Sequence, residues 1–135
     1  MFDYMHEAKV VVVGEKETKA VKFFDYEGKK LFSTFQAYKR VTQLISVELK
    51  EPALNGVLIG DKTGEVTFFP LEKARESAEV ATKPEGNEEF NAKTVFGHQQ
   101  GVTYMALNDQ KNRLVSLDTM NRVRVAAFPE AYIQT

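Results

Sequence analysis

Apolar and polar residues alternate along most of the chain, in short runs separated by turn-forming residues. The clearest series lies within residues 97–125, where the runs Val102–Leu107, Leu114–Leu117 and Val123–Val125 follow one another. The polar sequences NDQKN and DTMN separate these runs. Period-two alternation interrupted by Asn, Asp and Gly is typical of antiparallel strands joined by tight turns. The pattern therefore predicts three strands in this part of the chain.

A similar series runs from Arg40 to Phe69, with the turn sequence DKTG between the runs VLIG and EVTFF. When Asp61 is aligned with Asp118, Gly64 falls on Asn121. Gly and Asn are the residues that best tolerate a left-handed backbone. Both sequences are therefore predicted to form hairpin turns that start at an Asp side chain and close with a residue of positive φ.

The N-terminal part contains a looser third copy. The runs Val10–Val13 and Ala20–Phe24 are predicted to form its hairpin, and Gly14 then falls on Gly60. A strand is predicted after it, with three residues on one face: Leu31, Ser33 and Phe35. The chain would thus contain three copies of one hairpin, of which the second and third are preceded by an additional strand.

Residues 71–93 interrupt this pattern because they are highly charged and contain the helix-breaking sequence KPEGN. Four residues in this segment are spaced as on one short helix that ends before Pro84: Leu71, Ala74, Ala78 and Ala81. We interpret the segment as a solvated, charged insertion.

A Gly-His pair, Gly97-His98, followed by three short antiparallel strands is the layout of a WD-repeat propeller blade. The expected fold is a single all-β domain of WD-repeat β-propeller blades. It comprises a first partial blade (1–38), a second blade (39–70), the insertion (71–93) and a third blade (94–135). Closed propellers have about 4–8 blades, so about three blades predict an incomplete, open propeller. Its open strand edges would favour self-association.

Composition excludes several classes of protein. The absence of cysteine excludes disulfides and thiolate chemistry, and the net charge of -1 gives no overall attraction to nucleic acids or membranes. The apolar run Val10–Val13 is far too short to span a bilayer, and the N-terminus lacks the layout of a signal peptide. We therefore expect an intracellular soluble protein.

No catalytic constellation is evident in the sequence. His98, one of two histidines, precedes a predicted strand, which favours a structural hydrogen-bonding role over that of a general base. Asp109 and Asp118 lie in predicted turns and are expected to cap backbone amides rather than bind a metal. The sequence contains no phosphate-binding loop and no dinucleotide-binding motif. The chain would be an enzyme only if His98, Asp109 and Asp118 converged on one pocket.

Three motifs in order, VLIG-DKTGEV, FGHQQGVTYMAL and LDTMNRVRV followed by FPEAY, are similar to a known family. They resemble the WD-repeat non-catalytic subunit of the tRNA (guanine-7-)-methyltransferase, over roughly residues 39–132 with the insertion as a gap. In that family one blade carries Ala-Asp-Lys-x-Gly-Asp-Val. The next blade carries a Gly-His pair and then Ala-Asp-Arg-Asp-Glu-Lys-Ile-Arg-Val.

The motif LDTMNRVRV departs from the family where it carries Thr119 and Met120 in place of Arg-Asp. WD repeats form a hydrogen-bonded tetrad of the Gly-His histidine, a Ser or Thr, an Asp and a Trp. His98 and Ser116 match two of its members, whereas Met120 and Ala126 stand at the Asp and Trp positions. The resemblance therefore implies a blade that depends on apolar packing.

The resemblance implies a nuclear, non-catalytic subunit that binds and stabilises the catalytic methyltransferase and supports 7-methylguanosine formation in tRNA. The partner would hold S-adenosylmethionine, whereas this chain would need no cofactor or metal, bind no membrane or small-molecule substrate, and meet tRNA mainly through that partner. Lys62 and Arg124 match basic positions of the two motifs and are implied to face the partner. Six residues are expected to have structural roles in the turns or in the tetrad: Asp61, Gly64, His98, Ser116, Asp118 and Asn121. The alternative is a generic WD-repeat protein-interaction scaffold in another assembly.

Overall fold

The computed structural model describes residues 1–15, 17–37, 39–49, 55–76, 79–81, 93–97 and 100–128. These residues form strands and one short helix, so the expected all-β class is confirmed. In chain order the elements are β1 (Phe2–Met5), β2 (Val10–Glu15), β3 (Ala20–Asp25), β4 (Lys30–Gln36), β5 (Val41–Val47), β6 (Gly56–Asp61), β7 (Glu65–Pro70), α1 (Leu71–Glu76), β8 (Glu79–Ala81), β9 (Lys93–Gly97), β10 (Val102–Leu107), β11 (Arg113–Asp118) and β12 (Val123–Ala127).

The strands form three sheets, mostly of consecutive antiparallel strands. The first sheet has the order β1-β2-β3-β4-β8, the second β5-β6-β7-β9 and the third β10-β11-β12. Strands joined by short connections run antiparallel. By contrast, β8 follows β4 only after the strands β5–β7 and helix α1, and it pairs with β4 in parallel. Because β1 pairs with β2, the first hairpin is also preceded by a strand, which the sequence predicted only for the other two.

A bulge changes the face of one predicted residue in β4. The register shifts between Phe23 and Phe24, so Phe23 lies opposite Ser33 while Phe24 lies opposite Leu31. A bulge adds an unpaired residue and turns the side chains beyond it to the other face. Leu31 is therefore 44% exposed on the outer face, whereas Ser33 and Phe35 are buried.

The helix at the start of the segment 71–93 is packed against the core, although the segment was predicted to be a solvated insertion. Helix α1 ends at Glu76, and its two apolar residues, Leu71 and Ala74, are buried in the core. Six residues are too few for an independently stable helix, so packing stabilises it. The chain then forms strand β8 where a continued helix was predicted, and β9 pairs with β7 of the second sheet. The breaker sequence KPEGN lies outside the described residues.

Two hydrophobic cores lie on the two sides of the second sheet. The core shared with the first sheet contains Met5, Val10, Val12, Val21, Phe23, Phe35, Val41, Val57, Ile59, Phe69, Leu71 and Ala74. The core shared with the third sheet contains Val47, Leu58, Val66, Phe68, Val102, Met105, Leu114 and Phe128. Strand β6 is buried on both faces, which is why its run VLI is apolar without alternation.

The sheets are stacked in the same way at both junctions. Strand β5 contacts β1 on one side and β10 on the other, so the first strands of successive sheets meet. A Cβ atom on Gly14 would lie 3.7 Å from Cγ1 of Val41, and one on Gly60 would lie 2.8 Å from Cγ1 of Val102. Gly60 thus makes room for Val102 of the following sheet, whereas a Cβ atom on Gly14 would make only ordinary van der Waals contact with Val41.

Candidate functional site

The two aligned turns have the same hydrogen-bond pattern. The Oδ1 atom of Asp61 accepts bonds from the backbone amides two and four residues further on, at 2.8 and 3.1 Å. The Oδ1 atom of Asp118 accepts the equivalent bonds at 2.8 and 3.0 Å. Gly64 and Asn121 both have positive φ, of 100° and 61°. The Asp side chain therefore closes each turn around a left-handed residue.

An opening of about 300 Å³ lies between the second and third sheets, at the end that carries both turns. The backbone amide of Lys62 donates to the carbonyl oxygen of Arg40 at 2.9 Å, which joins the turn to the start of β5. A Cβ atom on Gly101 would lie 2.6 Å from the carbonyl oxygen of Lys62. Glycine at this position therefore allows the two sheets to approach, which sets the shape of the opening.

Positive charge lines this opening. The side chains of Arg40 and Lys62 are exposed there, and neither forms an ion pair with another residue in the described part of the chain. The threonines Thr42 and Thr103 donate their hydroxyl groups to backbone carbonyls of neighbouring strands. Arg40 and Lys62 thus offer their positive charge, beside the exposed Thr119, to an anionic ligand or partner.

Arg124 is exposed on β12, in the second residue of the strand that leaves the Asp118 turn. It lies opposite Ser116 in the sheet register, on the face turned toward the second sheet. Lys62 directly follows Asp61, in the equivalent turn of the second sheet. The two predicted partner-binding residues therefore both lie near the end of the sheets that carries the turns.

The tetrad predicted for the third sheet is only partly within the described residues. Ser116 and Asp118 are buried, at 0% and 1% exposure, on the side of the second sheet. Met120 is 60% exposed in the turn, and Ala126 is half-buried on β12. His98 lies outside the described residues.

The structure separates Asp109 and Asp118, two members of the enzymatic alternative. Asp109 is exposed in the turn before β11, whereas Asp118 ends β11, roughly 16 Å away along the strand. The capping role predicted for Asp109 belongs to Asn108, whose Oδ1 accepts the amides of Asn112 and Arg113 at 2.9 Å. Within the described ranges, no group of three or more His, Asp or Glu residues could hold a metal ion.

One carboxyl group beside the Asp61 turn has a perturbed pKa. Partial burial raises the pKa of Glu65 because it disfavours the charged form, and the nearby Asp61 carboxylate raises it further. The backbone amide of Glu65 donates to Asp61, so the two carboxyl groups are held on the same turn.

None of the helical residues described is part of a helix long and apolar enough to cross a bilayer.

Arg40 and Gly101 both line the opening, which was not predicted from the sequence. Aligning Val41 with Val102 places these two residues at equivalent positions, immediately before the first strands of the second and third sheets. That alignment could have indicated a shared location. The opening itself depends on the packing of two sheets and has no local sequence signal.

Comparison with protein-family models and with curated proteins gives no match. Among solved structures, the chain is similar to the crystal structure of the computationally designed Ika4 protein, with a TM-score of 0.61 and 18% sequence identity. The matched region covers 93% of this chain and 63% of the Ika4 chain, so this chain spans less than two thirds of that protein's length. At this identity the likeness concerns the β-rich fold alone.

Proposed function

We propose that the chain is a segment of WD-repeat β-propeller that acts as the non-catalytic subunit of a nuclear tRNA (guanine-7-)-methyltransferase. It would bind and stabilise the catalytic subunit and thereby support 7-methylguanosine formation. The observation that carries the proposal is the matched geometry of the Asp61 and Asp118 turns. These turns contain the motifs that resemble the family, and they flank a basic opening at one end of adjacent sheets.

The repeated stacking of the sheets supports the propeller part of the proposal. Propellers repeat sheets of about four antiparallel strands around an axis. Here the first strands β1, β5 and β10 contact one another in sequence order, which is the contact expected of innermost strands around such an axis. The three blades would correspond to the three sheets, with β9 supplying the fourth strand of the second blade, so most of β9 lies inside the range predicted for the third blade (94–135).

The chemistry of the opening supports a protein partner with acidic side chains. Arg40 and Lys62 offer exposed positive charge, and a guanidinium such as that of Arg124 can bind a carboxylate through two parallel hydrogen bonds. With a net charge of only -1, the chain lacks the overall basicity of an independent RNA-binding protein. Contact with tRNA would therefore depend mainly on the methyltransferase partner, which would also hold the cofactor.

Co-purification with the methyltransferase tests the proposed interface. We expect Arg124→Glu and Lys62→Glu to abolish association, because each places a negative charge against an acidic partner surface. Truncating one member of a buried interfacial ion pair costs about 2–5 kcal/mol, and charge reversal costs more. Arg113→Glu and Lys30→Glu are matched controls, since both residues are exposed and lie away from the turn end.

Unchanged association of Arg124→Glu would show that the assigned interface is wrong. Affinity capture followed by mass spectrometry addresses the identity of the partner. A methyltransferase as the main captured protein supports the proposal. Capture of a different assembly without a methyltransferase supports the alternative, a generic WD-repeat scaffold.

A further inference from the structure

The outer face of the third sheet, opposite the second sheet, is apolar and exposed. Two rows of residues cross its three strands on this face: Tyr104, Leu117 and Val123, then Ala106, Val115 and Val125. Directly opposed residues of paired strands point to the same face, so each row is continuous. Tyr104, Val123 and Val125 are 58%, 60% and 64% exposed. Exposed apolar patches of this kind usually mark an interaction surface.

The outer face of the first sheet also carries exposed apolar residues, together with Lys22 in the row of Phe2 and Val13. One row on it comprises Tyr4, Val11, Phe24 and Leu31. A hollow of about 340 Å³ lies beside this row and is lined by Phe2, Tyr4, Val11 and Tyr26. Phe2 is 76% exposed and Tyr26 is 56% exposed. An aromatic side chain from another molecule could fill the hollow and bury these rings.

The two outer faces would pack against each other in the same way as successive sheets pack within the chain. We call the face of a sheet that points toward the next sheet in the chain its forward face, and the opposite face its rear face. Each internal junction joins the forward face of one sheet to the rear face of the next, and the first strands meet there. The outer face of the third sheet is a forward face, and the outer face of the first sheet is a rear face. The same stacking rule would place β10 of one molecule against β1 of another, with Tyr104 near the hollow.

We propose that two copies of this chain associate through these faces and close a ring of six sheets. A two-fold axis would create two identical junctions, each between the third sheet of one copy and the first sheet of the other. The three sheets formed by the described residues of each copy give a ring within the range of about 4–8 sheets that propellers use. The inference rests on the propeller arrangement in the proposed function, and it names a second copy as the occupant of both faces.

Sedimentation equilibrium of the 135-residue chain over a range of concentrations tests this assembly. We expect a limiting mass of twice the 15.3 kDa of one chain. A chain that stays monomeric throughout the range would overturn the inference. A mass that keeps rising with concentration would also overturn it, because front-to-back contacts that do not close form open filaments.

Two lysine substitutions identify the faces. Val125→Lys on the third sheet and Phe2→Lys on the first should each yield monomers, since each one disrupts both junctions of the ring. Mixing the two variants should restore part of the dimer, because one of the two junctions then carries no substitution. Met120→Lys is the matched control, as Met120 is equally exposed but lies in a turn off both faces, and it should remain dimeric.

Several outcomes separate this inference from other modes of association. If Phe2→Lys or Val125→Lys alone stays dimeric, the copies pair through like faces and the inference is wrong. Circular dichroism and thermal melting of each variant must match the parent chain, and Tyr104→Lys replaces Val125→Lys if that variant does not fold. The Arg124→Glu chain should remain dimeric even if it no longer binds the methyltransferase, because Arg124 lies on the other face of its sheet. This result would support the dimer independently of the proposed function.

Discussion

Asp61 and Asp118 determine their turns through a single oxygen atom each. In both turns Oδ1 accepts backbone amides that would otherwise lack partners at the point where the chain reverses. Asn108 does the same between β10 and β11, followed by a left-handed Lys111 with φ of 57°. The amide or carboxylate oxygen of Asx residues reaches these amides because its side chain is short. Turn chemistry is therefore decided by one residue and its next few neighbours.

Asp118→Ala should lower the free energy of unfolding by about 1–3 kcal/mol. The substitution removes two hydrogen bonds from a carboxylate that is 1% exposed and leaves the amides of Met120 and Arg122 without this acceptor. Urea denaturation measures the change. Asp109→Ala is the control, because Asp109 is exposed in a turn capped by Asn108, and it should change stability by less than about 0.5 kcal/mol. Equal effects of the two substitutions would contradict the assigned role of Asp118.

Glu65→Gln should stabilise the protein at neutral pH and have little effect in acid. The folded-state pKa of Glu65 is raised, so folding favours the protonated carboxyl group and disfavours its ionised form. As pH rises above the ordinary pKa of Glu, the parent chain should lose stability relative to the variant. The difference should be complete above the folded-state pKa. Melting temperatures of both chains across this pH range measure it, and a difference that is independent of pH would refute the explanation.

At the level of elements, β6 shows how position between two sheets constrains a strand. Its apolar residues point alternately into two cores, so polar alternation is absent. Gly60 ends the buried run beside Val102 and Met105 of β10, at distances that leave no room for a side chain. The identity of Gly60 is therefore set by the neighbouring sheet rather than by its own strand, where glycine is unfavourable.

Gly60→Ala should destabilise the protein by about 1–3 kcal/mol through overpacking. The added methyl group would lie 2.8 Å from Cγ1 of Val102. Combining it with Val102→Ala should cost less than the sum of the two single changes, because the smaller side chain makes room. Gly14→Ala is the matched control, with its nearest contact at 3.1 Å to the flexible side chain of Met1, and should cost less. Additive effects in the double variant would contradict a direct contact between Gly60 and Val102.

The segment after β7 shows the limit of pattern-based prediction for elements. The spacing of Leu71 and Ala74 correctly indicated a helix, but α1 ends at Glu76. Residues 79–81 pair with β4 instead, which satisfies their backbone through a partner more than forty residues earlier in the chain. Helical spacing is a local property, whereas this strand exists because β4 offers a free edge. The sequence of the segment alone carries no sign of that edge.

For the whole molecule, the central position of the second sheet joins the two cores into one structure. Its residues contribute to the core on each side, where the inner faces of the two flanking sheets are buried. The three-stranded third sheet buries one face and leaves the other largely apolar and open. Loss of packing on either side of the second sheet should therefore affect the entire chain.

Thermal unfolding should accordingly occur in one transition. Val12→Ala in the first core and Leu114→Ala in the second should both lower the same melting temperature, since both side chains are fully buried. Truncating a buried leucine costs about 2–5 kcal/mol, and the valine change should cost less. Far-UV and near-UV circular dichroism should give coincident curves for both variants at matched protein concentration. A separate early transition in Leu114→Ala would show that the third sheet unfolds independently.

The sequence alone determined the all-β class, most strand positions and the two equivalent hairpin turns, because alternation, Asp caps and left-handed Gly or Asn act over a few neighbouring residues. Only the tertiary structure decided which face Leu31 takes, that Leu71 and Ala74 are buried, and that β9 joins the second sheet. The opening flanked by Arg40 and Lys62 also arises only where two sheets meet. These features depend on contacts between residues far apart in the chain, which no local pattern records.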